Sequence, residues 1–277
     1  MCDNIVGSEE HVKTIRMMNT VRDNLQSNNY CTHITSGSFG EGLEMKGSDL
    51  DIMYVIKVIE VCEDANFRSK RETSYFIMQI EDSQPGFIQL QLVYTNDQII
   101  HNDCEKIGYD YYYSSFLFKR HFAENTVATV HGPCLSDERG ILDLAFCLHS
   151  KSWVTPAKQW ITRSNTSWPM CEVKQTILKH GVLFVPIGVK GSMKEDLEWL
   201  ISFSVGEKLL IFTFTHTQLL CYALMKILLK DVIASNLNVS DLLCSYFMKT
   251  VMFLISEELS TSIWKPEKID ILFHEMF

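Results

Sequence analysis

The 277-residue chain lacks the sequence features of disulfide-bonded, secreted and membrane-spanning proteins. Its nine cysteines are scattered, and no CxxC pair or cysteine–histidine cluster has the spacing of zinc ligands. The N-terminal segment MCDNIVGSEE has neither the basic residues nor the apolar stretch of a secretory signal. No uninterrupted apolar run approaches the ~18 residues of a membrane-spanning helix. We therefore expect a cytoplasmic or nuclear protein with reduced thiols, no structural zinc and no membrane partner.

The chain also has no excess of positive charge. Lysine and arginine number 25 against 34 aspartates and glutamates, which gives a net charge of −9. A protein that coats nucleic acid nonspecifically needs clustered lysines and arginines, so this balance argues against such a function. It leaves room for a local basic groove and for a site that gathers carboxylates around a metal. With 46% hydrophobic residues, the chain can form a packed core.

Hydrophobic periodicity divides the chain into a strand-rich first part and a helical second part. Apolar residues three and four positions apart predict a helix over 9–26, and β-type runs predict strands near 75–80, 87–94 and 141–148. Beyond Pro169 the spacing predicts helices over 171–180, 194–210, 215–234 and 239–258. This order predicts an α+β protein of two units, a mixed-sheet unit over 1–168 and an all-helical unit over 169–277.

Three aspartates form the most specific pattern in the sequence. Asp49 and Asp51 directly precede an apolar run, and in a strand they point to the same face because they are two residues apart. Neighbouring carboxylates raise each other's pKa unless a cation neutralises them, and their oxygens suit Mg²⁺ or Mn²⁺. Asp143 lies in the apolar segment GILDLAFCL, where an unpaired carboxylate is costly to bury. The three acids therefore predict a metal site of the kind used in two-metal transfer reactions.

A glycine-rich segment precedes the acid pair. Gly37 and Ser38 begin GSFGEGLEMKG, where backbone N–H groups and a hydroxyl can approach a phosphate closely. Each signal alone is weak, because most DxD pairs are turn or surface acids and Asp143 could equally be a salt-bridged strand end. The three acids in this order, each beside a β-type run, favour the metal site.

Four segments make the chain similar to the Mab-twenty-one family of nucleotidyltransferases, which includes cyclic GMP-AMP synthase. They are the glycine–serine loop with its acid pair, ILDLAFCLHSKSWVTPAKQWI, EWLISFSVGEKLLI, and CYALMKILLK followed by LLCSYFMKT. The resemblance implies a bilobed nucleotidyltransferase fold with a mixed β-sheet catalytic lobe and an all-helical C-terminal lobe.

The resemblance also implies roles for individual residues. Asp49, Asp51 and Asp143 would hold Mg²⁺ or Mn²⁺, and the Gly37–Ser38 loop would contact phosphate. From the helical part, Lys226 and Ser245 would contact phosphates, and Tyr246 would stack on a base. Without the resemblance, Lys226 is an ordinary solvated lysine and Tyr246 an aromatic of a helix core.

The activity that the resemblance implies is attack of a ribose hydroxyl on the α-phosphorus of a nucleoside triphosphate such as ATP or GTP. The product would be a cyclic dinucleotide or short oligonucleotide of innate immune signalling, made by a monomer or a ligand-induced dimer that double-stranded RNA activates. Residues that could form a basic RNA-binding face are Lys13, Arg16, Arg22, Lys70, Arg71, Lys119 and Arg120. Scattered charge of this kind is equally typical of a solvated surface.

The chain departs from the family pattern at several points, of which Leu200 and the short C-terminus favour an alternative. Trp199 is followed by Leu200, where the family often has an arginine that can stack on or hydrogen-bond a base. No zinc-binding insertion interrupts the helical part, and His216 and Cys221 lack two further ligands. The sequence stops at ILFHEMF, short of the family's final helices, which favours a truncated or divergent copy. The alternative is a catalytically inactive nucleotide-binding or protein-interaction module that acts as a regulator.

Overall fold

The structure is a computed structural model, and it describes residues 6–45, 48–64, 72–81, 83–124, 129–163, 168–233 and 244–268. The helices are α1 (Glu9–Gln26), α2 (Gly37–Gly40), α3 (Gln98–Asn102), α4 (Ser115–Glu124), α5 (Lys158–Thr162), α6 (Cys171–His180), α7 (Ser204–Phe212), α8 (His216–Leu228) and α9 (Ser245–Glu258). A π-helical turn, Leu229–Ile233, follows α8, and short 3₁₀ turns lie at Thr155–Ala157, Glu195–Leu197, Thr261–Ile263 and Pro266–Lys268.

Eleven strands alternate with these helices in the described part of the chain. They are β1 (Cys31–Thr35), β2 (Leu50–Cys62), β3 (Ser74–Gln79), β4 (Phe87–Tyr94), β5 (Cys104–Ile107), β6 (Asp110–Tyr113), β7 (Thr129–His131), β8 (Cys134–Ser136), β9 (Leu142–Ser150), β10 (Val182–Val185) and β11 (Glu198–Ser202). The strands near 75–80, 87–94 and 141–148 and the helices over 9–26 and 171–180 are thereby confirmed.

Six of the strands close into a ring. They pair in the order β2, β3, β4, β11, β10 and β9, and β9 then returns to pair with β2. The pairings β2–β3 and β2–β9 are parallel, and the other four are antiparallel. The long strand β2 makes this possible, because β1 and β3 pair with its successive halves while β9 pairs with the opposite edge.

The predicted bilobed nucleotidyltransferase fold, with a mixed-sheet catalytic lobe and an all-helical C-terminal lobe, is wrong. Strands β10 and β11 lie within 169–277, and they complete the closed ring between β9 and β4. The structure is instead a mixed α+β arrangement around the closed ring. The division of the chain at residue 168 stays a prediction.

The segment 194–210 shows why the second part was misjudged. It was predicted as one helix, but it forms β11 and then α7. Within β11, Trp199 and Ile201 are buried while Leu200 and Ser202 are half-buried, which is the two-residue period of a strand. The helical spacing of α7 follows this short alternation directly. A sequence window that covers both segments therefore shows only the helical period of apolar residues.

The two remaining helix predictions hold over part of their ranges. The predicted helix 215–234 is α8 with the π-helical turn after it, and Thr215 caps α8 by accepting a hydrogen bond from the Gln218 N–H. The predicted helix 239–258 corresponds to α9, while 239–243 lie outside the described residues. Within the described ranges, no helix has the length and apolar content needed to cross a membrane.

Trp199 lies at the centre of the sheet core. Its side chain is fully buried, its ring stacks on that of Tyr113 at 5.5 Å between centroids, and its indole N–H donates to the Tyr113 carbonyl at 3.0 Å. A second core lies among the helices α6 to α9, and it includes Trp264. The indole N–H of Trp264 is buried and has no hydrogen-bond partner among the described residues.

These two tryptophans allow a matched test of the hydrogen bond in the sheet core. We expect Trp199→Phe to lower the free energy of unfolding by about 1–3 kcal/mol more than Trp264→Phe, because only the first change removes a buried hydrogen bond. Urea unfolding followed by circular dichroism measures both. Equal losses in the two variants would show that the Trp199 hydrogen bond adds nothing.

Candidate functional site

The parallel register of β2 and β9 brings the three predicted acids together. Asp51 in β2 lies directly opposite Asp143 in β9, and Asp49 comes one residue before β2 begins. Each aspartate offers an oxygen, and these oxygens lie within 4.8 Å of one another. Asp49 is exposed, whereas Asp51 and Asp143 are half-buried. Three carboxylates at this spacing form a donor set that suits a hard divalent cation.

The electrostatics of this triad show an uncompensated negative charge. Burial, together with the nearby charges of Asp49 and Asp143, raises the pKa of Asp51 to about 6, although Lys226 opposes the shift. The Ser136 hydroxyl donates to Asp143 Oδ1 at 2.5 Å, which helps to hold that carboxylate in place. Above pH 6 the triad therefore carries crowded like charges that a cation would relieve.

The glycine-rich segment lies directly against the triad. Its residues 37–40 form the short helix α2, and Gly37 has a φ of 60°. A side chain at Gly37 would collide with the carboxylate of Asp51, and the neighbouring Ser36 N–H donates to the Asp51 carbonyl at 2.8 Å. Glycine is therefore needed here both for the left-handed backbone and for the close approach.

Lys226 extends from α8 toward the same place. Its ammonium group donates a hydrogen bond to the Ser38 hydroxyl and lies 5.4 Å from the centre of the Tyr222 ring. Burial lowers the pKa of Lys226, while Glu41, Asp51 and Asp49 act in the opposite direction. A cation and a hydroxyl therefore meet beside the acid triad.

One open cleft of about 440 Å³ joins these parts, and we call it the triad cleft. It is lined by Gly37, Ser38, Glu41, Ser48, Asp49, Asp51, Tyr222, Lys226, Ser245, Tyr246 and Lys249. The structure thus brings every predicted site residue to this cleft except Asp143, which belongs to the triad on the neighbouring strand. The volume is within the usual range for small-molecule sites, about 300–1,000 Å³.

Sequence reasoning missed an ion network in the cleft wall. Lys249 of α9 lies 2.7 Å from Glu41 Oε1 and 3.2 Å from Glu207 Oε2 of α7, and Glu41 is only 3% exposed. Although burial opposes the charged form, Glu41 and Glu207 together raise the pKa of Lys249. We call these three residues the cleft brace, because they tie the segment after α2 to α7 and α9.

The cleft brace also separates the roles of the two lysines. Two carboxylates balance the charge of Lys249, so we expect it to attract an anionic ligand only weakly. Lys226 makes its hydrogen bond to a neutral hydroxyl, so its ammonium group can still interact with an anionic ligand. The second carboxylate oxygen of Glu41 is buried, and only Lys249 forms an ion pair with this carboxylate among the described residues.

Leu200 and the two residues considered as zinc ligands, His216 and Cys221, make contacts within the fold. Leu200 lies in β11 opposite Phe87 of β4 and packs on the core cluster of Met53 and Val185. It is therefore part of the sheet and does not line the triad cleft. His216 bonds through a ring nitrogen to the Gly7 carbonyl at 2.9 Å, and Cys221 is fully buried.

The basic residues proposed for RNA binding make contacts within the chain. Arg16 donates to the carbonyls of Glu41, Ile211 and Phe212, and so joins α1 to the end of α7. The other contacts are Lys13 with Glu9, Arg22 with the Phe39 ring, Lys119 with the Gly132 carbonyl, and Arg120 with Glu124. Lys70 and Arg71 lie outside the described residues.

Comparison with known proteins assigns no family to the chain. No family model matches the sequence, and no curated protein matches it. The function is therefore proposed from the residues of the site together with the sequence resemblance described above.

The raised pKa of Asp51 gives a prediction for stability and metal binding. The folded chain holds this proton more tightly than the unfolded chain, whose ordinary pKa is 3.8, so metal-free stability falls as pH rises from 3.8 to about 6. We expect Asp51→Asn to raise the metal-free Tm at pH 7.5 and to flatten this pH dependence. Mg²⁺ or Mn²⁺ should raise the Tm of the wild type more at pH 7.5 than at pH 5, and should not raise that of the variant.

Thermal denaturation with and without each metal measures these effects. Glu138→Gln is the matched control, because Glu138 is an exposed acid outside the triad and its loss should change neither the pH dependence nor the metal response. A metal-induced rise in Tm of the same size in Asp51→Asn and the wild type would exclude the triad as the metal site.

The cleft brace gives a second prediction. We expect Lys249→Met to lower the free energy of unfolding by about 3–5 kcal/mol, because it leaves the buried carboxylate of Glu41 without its partner. The double variant Glu41→Gln/Lys249→Met should recover part of this loss. Lys13→Met, which breaks an exposed pair with Glu9, should cost far less than Lys249→Met. Urea unfolding measures these variants and Glu41→Gln alone, and additive losses at Glu41 and Lys249 would contradict the coupling.

Proposed function

We propose that the chain is a metal-dependent nucleotidyltransferase whose acid triad holds Mg²⁺ or Mn²⁺. The observation that carries this proposal is the meeting of three aspartate oxygens within 4.8 Å at a cleft that also contains Ser38 and Lys226. When bound, a divalent ion at such a triad lowers the pKa of an attacking hydroxyl and stabilises charge on the reacting phosphorus.

The charge of the triad cleft supports a metal and a polyphosphate together. The triad and Glu41 supply four carboxylates, and Lys226 and Lys249 supply two ammonium groups. The metal-free cleft is therefore net negative and repels phosphates, whereas divalent cations reverse the balance. Binding of a nucleoside triphosphate should thus depend on the metal.

The cleft residues offer donors for the phosphate groups. The Ser38 hydroxyl and the Lys226 ammonium group already meet, and a phosphate oxygen placed between them would accept from both. Helix α9 begins at Ser245, which lines the cleft, and its N-cap residue Cys244 makes no side-chain cap hydrogen bond. A phosphate beside Ser245 would lie at the N-terminal end of α9, where the helix dipole favours an anion. Tyr246 is 56% exposed and offers its ring for stacking on a base.

The reaction we propose follows the resemblance to the Mab-twenty-one family. A ribose hydroxyl of one nucleotide attacks the α-phosphorus of another, the new P–O bond forms, and the bond to pyrophosphate breaks. The product is a cyclic dinucleotide or a short oligonucleotide that serves as an innate immune signal. We place this activity in the cytoplasm or the nucleus and propose double-stranded RNA as its activator.

Leu200 favours a second candidate function, which is nucleotide binding without turnover. A leucine in β11 supplies neither the stacking nor the hydrogen bonds to a base that the family's arginine supplies. In this case the chain acts as a regulator that binds nucleotide and metal at the triad cleft.

Turnover is the decisive measurement. The wild type is incubated with Mg²⁺ or Mn²⁺ and labelled ribonucleoside triphosphates, with and without double-stranded RNA or DNA. We expect a new labelled product and released pyrophosphate, both reduced to background in Asp49→Asn/Asp51→Asn and unchanged in Glu138→Gln. Metal removal with a chelator should have the effect of the double variant.

Nucleotide binding distinguishes the remaining outcomes. Metal-dependent binding of a triphosphate without any product would establish the second candidate. Absence of both binding and product would overturn both functions.

A further inference from the structure

A second cavity lies beside the triad cleft, on an adjacent face of α9. It has a volume of about 290 Å³ and lies among α5, α6, α7 and α9. We call it the aromatic pocket, because its wall includes Trp153, Trp160, Phe203, Tyr246 and Phe253. Neither the acid triad nor Lys226 lines it, so it is not part of the site described above.

The rings of the aromatic pocket hold one another in place. The centroid of Trp153 lies 5.5 Å from that of Trp160 and 5.3 Å from that of Phe203, with the ring planes tilted. The indole N–H of Trp153 donates to the Ala157 carbonyl at 3.0 Å, so this donor is already satisfied. The wall is therefore preformed and largely apolar, which are the properties of a small-molecule site.

The charges at the pocket are already paired. Glu257 lies 2.9 Å from Arg163, and Glu207 lies 3.2 Å from Lys249 in the cleft brace. A cationic ligand would find no uncompensated carboxylate here, and an anionic one would meet two acids. The aromatic wall and this charge balance together favour an uncharged ring.

We propose that the aromatic pocket binds a small, flat, uncharged aromatic ligand, and that Tyr246 couples its occupancy to the triad cleft. Tyr246 lines both cavities, and Glu207 of the pocket wall also holds Lys249 in the cleft brace. A ring that packs on Tyr246 and fixes α9 against α7 changes the affinity of the cleft for its ligand. A ligand in the cleft then changes the affinity of the pocket for the ring by the same factor. Occupancy is independent of the proposed function, whereas the coupling rests on it.

The test of occupancy uses N-phenyl-1-naphthylamine, an uncharged aromatic dye that fluoresces on entering an apolar site. We expect saturable binding to the wild type, displaced by indole but not by choline. Thr250→Trp should weaken binding at least tenfold, because Thr250 lines the pocket and a larger side chain fills it. Phe247→Trp is the matched control on α9, since Phe247 is half-exposed and does not line the pocket, and it should leave binding unchanged.

Absence of saturable dye binding to the wild type would overturn the site, and so would either of two further results. One is equal dye affinity in Thr250→Trp and Phe247→Trp when both variants keep the wild-type Tm. The other is displacement of the dye by choline, which would indicate a cation site.

The test of coupling repeats the dye titration with Mn²⁺ and a non-hydrolysable ATP analogue. We expect the dye affinity of the wild type to change by about fivefold or more, with no change in Asp49→Asn/Asp51→Asn. Dye binding without nucleotide binding would keep the pocket and reject the proposed function. Nucleotide turnover with no dye binding would keep the proposed function and reject the pocket. An unchanged dye affinity in the presence of bound nucleotide would overturn the coupling.

Discussion

The parallel pairing of β2 with β9 has two consequences for the molecule. It closes the ring of six strands, and it sets Asp51 beside Asp143. Because hydrogen bonds between two buried strands fix this register, the spacing of the acids does not depend on a mobile loop. Asp51 and Asp143 therefore keep their spacing without a cation, and the stability of the sheet offsets the repulsion between their like charges. Electrostatic repulsion that the backbone holds in place is typical of a binding site built into a rigid framework.

Around this fixed pair, the remaining groups of the cleft come from distant parts of the chain. The glycine segment approaches Asp51 closely because Gly37 has no side chain, while α8 supplies Lys226 and α9 supplies Ser245 and Tyr246. The cleft brace then joins the segment after α2 to α7 and α9. Phosphate and ring ligands would thus contact neighbouring faces of one helix, α9, whose position the brace determines, whereas the metal would lie on the acids of β2 and β9.

Local patterns in the sequence predicted the acid triad, the helices α1, α6, α8 and α9, and the strands β3, β4 and β9. Asp49 and Asp51 are two residues apart in a strand, and Asp143 is unusual among its apolar neighbours, so all three could be recognised from short segments. Ring closure could not be recognised from short segments, because it depends on pairing between residues far apart in the sequence. The alternation around Trp199 was also too short to separate from the helix that follows. The pair of Glu41 with Lys249 was missed for the same reason. The charged residue within FGEG, and Lys249 one helical turn after Ser245, were the signals that could have suggested it.

The position of β11 in the ring also has a consequence for synthesis on the ribosome. Its residue Glu198 pairs with Gln89 of β4. The N-terminal half of that edge of β4 therefore stays unpaired until 109 further residues have been synthesised. At about 5–20 residues per second, the segment FIQLQLVY keeps an open edge for roughly 5–20 seconds. An unpaired, β-prone edge is a site for aggregation, and the nascent chain depends during this interval on the β5–β6 hairpin, which covers β4 at Gln91. The late strand thus makes chaperone supply and translation rate important for the yield of folded protein.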